Sequence, residues 1–118
     1  MNQRKITIRR VYEPVLPADG TRVLVDRLWP RGITRGNAKI DLWMRDIGPS
    51  NALRQWFGHD QQRWGEFRTR YRAELETNRE PFERLKALCD AGRVTLLFAA
   101  RDIEHNNAVV LADLLAEK

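Results

Sequence analysis

Arg93-Val94-Thr95-Leu96-Leu97-Phe98-Ala99-Ala100 is the clearest strand in the chain, and it runs straight into a polar loop, Arg101-Asp102-Ile103-Glu104-His105-Asn106. A second run of the same kind, Arg22-Val23-Leu24-Val25-Asp26-Arg27-Leu28-Trp29, is dense in β-branched and apolar residues and stops at Pro30. Continuous apolar runs of this sort are strands buried on both faces, as parallel sheets require. Between the two the sequence is helical in texture, so the connection reads as a parallel crossover. The expected fold class is α/β: a small, mostly parallel sheet with helices on both faces, in one compact domain over residues 1–118.

Outward from these strands, Ile6-Thr7-Ile8 opens an alternating stretch that reaches Val11-Tyr12 and predicts a first strand. Pro14, Pro17 and Asp19-Gly20 then leave no room for a full helix, and Arg31 to Gly36 is a loop without helical period. Leu42, Trp43, Met44 and Ile47 predict a short helix ended by Gly48-Pro49. Ser50 caps the next, which carries Leu53, Trp56 and Phe57 before Gly58. Asp60 caps a longer helix with an inward stripe of Trp64, Phe67, Tyr71 and Leu75, and the Glu66–Arg70 pair on its other face. Asn78 and Pro81 start a fourth, with Phe82, Leu85, Leu88 and Cys89 on one face and Gly92 as its stop. A last helix carries Val109, Val110, Leu111, Leu114 and Leu115.

Composition narrows the function classes. The chain has 118 residues, enough for a single core without staples. Its one cysteine, Cys89, excludes an internal disulfide and a zinc site of cysteines, and reads as core. No apolar run is long enough to span a membrane, and MNQRKITIRR lacks the apolar region of a secretory leader, so a cytoplasmic address without membrane contact is expected. Residues 1–72 carry 15 Arg and Lys against 7 Asp and Glu, whereas residues 73–118 carry 6 against 9. The positive field therefore belongs to the first part of the chain, where it would draw phosphates or carboxylates. Of the 21 basic residues 17 are Arg, the side chain whose planar fork suits oxyanions, although solvated faces take most such residues.

In an open parallel sheet, ligands collect beyond the carboxyl ends of the strands. Two loops meet that description. The first offers Asp26, Arg27, Trp29 and Arg31: an oxyanion fork with an apolar wall. The second offers Arg101, Asp102, His105 and Asn106, leading into a helix N-terminus. Each has a plainer reading beside it. Asp26 can tie the loops together by pairing with Arg27 or Arg101, and Asn106 suits an N-cap. His105 is a candidate general acid or base, as imidazole titrates near neutrality. His59 and Asp60 fit a turn between helices as well as a site, and no metal set or cofactor motif is present.

The strings Arg22 to Gly32, Trp56-Phe57-Gly58-His59-Asp60, and Arg93 to Ala100 followed by His105-Asn106 resemble the YeaO-like proteins, a short branch of domain-of-unknown-function family 488. The resemblance covers nearly the whole chain. It implies a single-domain α/β protein of bacterial type and, because the family is named for lacking one, no particular reaction. Larger members of the wider family usually carry two cysteines and an adjacent His-Arg pair. The matching positions here are Phe98, Asn106, Asn107 and Ala108, so thiol chemistry is not implied for this chain. Asp26, Arg27, Arg31, Arg101, Asp102 and His105 remain: an oxyanion-binding set without a nucleophile.

Two functions follow as expectations. In the first, a pocket at the strand ends binds a small anionic ligand bearing phosphate or carboxylate. Arg27 and Arg31 hold the anion, Trp29 excludes water, and Asp102 or His105 moves a proton if hydrolase or transferase chemistry occurs. The alternative is a non-catalytic nucleic-acid-binding module using the Arg-rich helix 60–77, with Arg63, Arg68, Arg70 and Arg72. The spacing of Trp64 and Tyr71 weakens it, since their stripe is a core stripe and not a stacking platform.

Overall fold

The computed structural model describes residues 5–117. Met1 to Arg4, at the head of the stretch read for a leader, and Lys118 lie outside the described residues. β4 (Val94–Phe98) is buried along its whole length, as its apolar run demands. It lies inside a four-stranded sheet of order β1-β4-β2-β3, with β1 (Ile6–Arg10), β2 (Thr21–Leu24) and β3 (Leu42–Trp43). Every pairing is parallel, with Ile8 opposite Leu96, Leu24 opposite Leu97 and Leu24 opposite Trp43.

Alternation along the strands divides the core in two. Val23, Val25, Val94, Leu96 and Phe98 face the larger layer. There α2 (Asn51–Phe57), α3 (Trp64–Thr77), α4 (Arg79–Ala91) and α5 (Asn107–Ala116) bury Phe57, Phe67, Tyr71, Leu85, Leu111 and Leu115. Leu24 and Leu97 face the other way and are covered by Val11, by Ala38 of the short α1 (Arg35–Ala38) and by Ile40, with Trp29 and Trp43 at the edge. Both faces thus carry helix, unequally. Among the described residues no helix is long and apolar enough to cross a membrane.

The second face also buries an ion pair. Asp19 and Arg22 are 5% and 3% exposed, and the Asp19 carboxylate accepts from Arg22 Nη1 and from the Leu16 N–H. Burial works against the ionised carboxyl, but those two hydrogen bonds and the Arg22 charge carry its pKa below the ordinary 3.8. Arg22 Nε donates to the Ala38 carbonyl at 3.1 Å and Thr95 Oγ1 to the Asp19 carbonyl at 2.7 Å, so the pair stitches the connection onto the sheet. Gly20 makes the turn into β2 at φ 67, where a Cβ would stand 2.3 Å from the Arg93 carbonyl oxygen.

Three local expectations need correction. The strand expected over Arg22–Trp29 pairs only as far as Val25, whose N–H reaches the Leu97 carbonyl at 3.1 Å. Beyond it Asp26 and Arg27 find partners outside the ladder, and the chain leaves the sheet. Leu42-Trp43 is an edge strand and not the start of a helix. Asp41 N–H donates to the Arg22 carbonyl and Met44 N–H to the Leu24 carbonyl, each at 2.9 Å, and only Arg45–Ile47 coils, as a 3-10 turn. Four apolar residues at that spacing suit either state, and sheet pairing decides. Asp60 caps the 3-10 turn Gln61–Arg63 that leads into α3, its carboxylate accepting from the Gln62 N–H.

Candidate functional site

Because β2 and β4 are adjacent and parallel, the segments after them leave the same edge of the sheet. A cleft of about 670 Å³ opens between those segments and the end of α2. Of the residues expected at a site, Asp26, Arg27, Trp29, Arg31, His105 and Asn106 line it, whereas Arg101 and Asp102 do not. Arg54, His59, Asn107 and the rings of Phe57 and Phe67 complete its polar and apolar walls.

Asp26 forms the floor. Its Oδ2 accepts the Ala99 N–H at 2.9 Å, which fastens the loop after β2 to the end of β4. The plainer reading of Asp26 as a tie between the loops is thus right in kind, with a backbone amide as partner in place of Arg27 or Arg101. Burial pushes its carboxyl pKa up; the Ala99 and Asn107 hydrogen bonds and the charges of His59 and Arg54 hold it down in part. Tyr71 stands behind it, donating to the Ile47 carbonyl at 2.6 Å, and burial followed by the Asp26 charge raises that phenol well above its usual range. Asn107 Nδ2 donates to the Val25 carbonyl at 2.9 Å, a second tie between the two loops.

The arginines differ in availability. Arg27 donates from Nε to the Pro49 carbonyl and from Nη2 to the Gly48 carbonyl, both at 2.8 Å, so much of its fork is spent on the scaffold. Gly48 is needed there, because a Cβ would lie 2.6 Å from the Arg27 backbone nitrogen. Arg31 is exposed, and its carbonyl accepts the Tyr12 hydroxyl at 2.9 Å. Arg54 has its Nε buried without a hydrogen-bond partner and one long 3.3 Å bond from Nη2 to Asn51 Oδ1. Trp29 is held as a wall by its Nε1 bond to the Ile33 carbonyl at 2.7 Å and by the edge of Trp43, 5.2 Å between centroids.

On the other loop, His105 Nδ1 lies 2.9 Å from Asp102 Oδ2, and the ring meets Trp64 edge-on at 5.2 Å. Asp102 also accepts from Gln61 Nε2 and from the backbone N–H groups of Glu104 and His105. The Glu104 bond above all, opposed by burial and helped by Gln61 and His105, lowers its pKa to about 2. A carboxylate so satisfied orients the imidazole and is a poor proton donor near neutrality. Asn106 is the N-cap of α5: Oδ1 accepts from the Val109 N–H and Nδ2 donates to the Asp102 carbonyl.

Arg54 and Asn107 are not among the residues expected at the site, and His59 is expected there only as one of two readings of its turn. Ser50 and Gly58 do mark the ends of α2, yet only the packing of that helix brings its last turn to the sheet edge. His59 follows Gly58 in the left-handed region, at φ 59 and 51, which turns the imidazole to the rim. Along residues 60–77 three of the four expected phosphate-tracking cations have partners. Arg63 bonds the Trp56 carbonyl and pairs with Asp60; Arg70 pairs with Glu66 and stacks on Trp56; Arg72 pairs with Glu117. Among the described residues no three His, Cys, Asp or Glu side chains converge as a metal site.

Residues 5–118 match the family DUF488-N3i, described as the inactive DUF488-N3 subclade. YeaO of Escherichia coli strain K12 is 41% identical over 110 residues, covering 93% of this chain and 96% of the relative. Uncharacterized proteins of Mycobacterium bovis and of Mycobacterium tuberculosis strain H37Rv are each 39% identical over 115 residues, covering 98% of this chain and 97% of theirs. No solved structure matches. With the family model matching residues 5–118 and relatives covering 93–98% of the chain, the chain belongs to the DUF488-N3i family.

Proposed function

We propose that the cleft beyond β2 and β4 binds a small anionic ligand, carrying phosphate or carboxylate, and does so without turnover. The observation that carries the reading is Arg54, a half-buried guanidinium on the cleft wall whose side chain makes one long hydrogen bond to the protein, 3.3 Å from Nη2 to Asn51 Oδ1. An oxyanion on the cleft side of that fork would gain charge-assisted hydrogen bonds that the protein does not supply. Arg31 at the rim adds a second fork, and His105, fixed by Asp102, presents an imidazole to the same space.

Binding without turnover is favoured over hydrolase or transferase chemistry by the composition of the wall. Among the described residues it has no Ser, Thr, Cys or Lys side chain, its Tyr12 hydroxyl donates to the Arg31 carbonyl, and its Asp26 and His105 are held by the Ala99 N–H and by Asp102. The description of the family as inactive agrees with this. The nucleic-acid reading has less support, because Arg63, Arg70 and Arg72 are paired on the protein itself.

A thermal-shift screen at low salt and at about 0.5 M salt tests the reading, with inorganic phosphate, nucleotides, small carboxylates and short nucleic acids as probes. Stabilisation by a small anion at both salts, lost in Arg54→Ala, is expected. Stabilisation by polynucleotides alone, and only at low salt, would move the function to the Arg-rich helix.

A further inference from the structure

The cleft pairs its cations with a carboxyl. We infer that it selects a two-ended ligand: an anionic group taken by Arg54 and, on the same molecule, a planar N–H-bearing ring presented to Asp26, the pattern of a nucleoside monophosphate. The inference rests on the anion-binding reading above and adds a second recognition element to it.

Three observations carry it. An inorganic anion held at Arg54 leaves the Asp26 carboxylate, which lines the same cleft, without a ligand partner, and the like charge weakens that binding. A ligand that brings an N–H group to Asp26 turns that repulsion into a charge-assisted hydrogen bond. The Ala99 and Asn107 interactions leave acceptor capacity on a carboxylate that offers about four lone-pair sites. Next, the half-buried Trp29 gives the cleft a flat apolar wall. Phosphate gains nothing from such a wall, whereas a planar ring stacks on it and displaces water. Last, the cleft volume of about 670 Å³ lies in the range of sites for whole organic ligands and far exceeds a lone oxyanion. A carboxylate accepting from paired ring and exocyclic N–H groups is also a common way for a protein to read a base edge.

Isothermal titration of the full chain with guanosine 5′-monophosphate, ribose 5-phosphate, guanosine and glutamate separates the terms. Guanosine 5′-monophosphate is expected to bind at least about tenfold more tightly than ribose 5-phosphate or guanosine alone. Arg54→Ala should weaken both phosphates. Asp26→Asn, which keeps an oxygen for Ala99 but turns an amide donor toward the ligand, should erase the preference and leave ribose 5-phosphate bound as well as before or better. Equal binding of the two phosphates to the native chain would overturn the inference, whatever the folding of the variants. So would equal loss of both in a folded Asp26→Asn protein, or tight binding of glutamate in place of the nucleotide. Failure of every phosphate to bind would instead remove the anion-binding reading beneath it.

Discussion

The Asp26 carboxylate and the Ala99 backbone N–H, 2.9 Å apart, join the two segments that leave the same edge of the sheet. Neither residue is in a strand, so the bond continues the contact between β2 and β4 past the end of their ladder. Asp26→Ala should therefore cost about 1–3 kcal/mol, the penalty of a buried donor left unpaired, while Asp26→Asn keeps an acceptor and costs less. The pH dependence has a definite sign. Burial raises the folded pKa of Asp26 above the ordinary 3.8, so its contribution to stability is full below that value and is lost as pH rises through the folded pKa. Urea denaturation at a series of pH values should show that decline in the native chain and not in Asp26→Asn. An equal decline in both would remove the role assigned to burial.

Asp102 behaves in the opposite sense. Its folded pKa of about 2, set first by the Glu104 N–H and then by Gln61 and His105 against burial, lies below the ordinary 3.8. The stability it supplies is present above the ordinary value and is lost as pH falls toward about 2. In Asp102→Ala the melting temperature should fall less steeply across this acid window than in the native chain. The same acid limb in both proteins would mean that other carboxylates dominate.

Both crossing loops were legible in the sequence, and the reason is physical. Val23 to Val25 is apolar throughout and Val94 to Phe98 is apolar except for Thr95, a pattern that suits a strand covered on both faces, and a helical block between two such strands favours a parallel pairing. Their carboxyl ends then had to share an edge. What was not legible depends on packing at a distance. Leu42-Trp43 pairs with β2 for two residues only, too short a run for a period to appear. Arg27 and Arg54 are indistinguishable as letters, yet one is spent on the Gly48 and Pro49 carbonyls while the other leaves its Nε without a partner. Asp102 and His105 are alternatives as proton movers in the sequence reading; the structure puts them in contact, with only the imidazole on the cleft.

The three arginines around the cleft should separate in a stability measurement. Arg27→Ala strands two carbonyls of the Gly48-Pro49 turn and should lose about 1–3 kcal/mol in chemical denaturation. Arg31→Ala removes an exposed side chain and keeps the carbonyl that Tyr12 uses, so its stability should stay within about 0.5 kcal/mol of the native chain. Arg54→Ala should also fold, and it should lose anion binding. A large loss of stability in Arg31→Ala would mark that residue as scaffold.

On the opposite face, Arg22→Ala would leave Asp19 as an uncompensated buried charge and should cost about 3–5 kcal/mol. Replacing both members with apolar residues should recover much of that loss, since the intact pair carries its own desolvation cost. A double variant as unstable as Arg22→Ala alone would show that the hydrogen bonds to Ala38 and Leu16, and not the charge, hold this connection.

The central claim, an anion site in the cleft, is tested most directly by a ¹H–¹⁵N correlation titration of the chain with inorganic phosphate, repeated on Arg54→Ala. The account predicts saturable shifts confined to the amides around Arg27–Arg31, Gly58–His59 and Ala100–Asn107 and to the Arg54 Nε–H, abolished by the substitution. Shifts along Arg63–Arg72 of α3 and its approach, or uniform small shifts that scale with ionic strength alone, would contradict it.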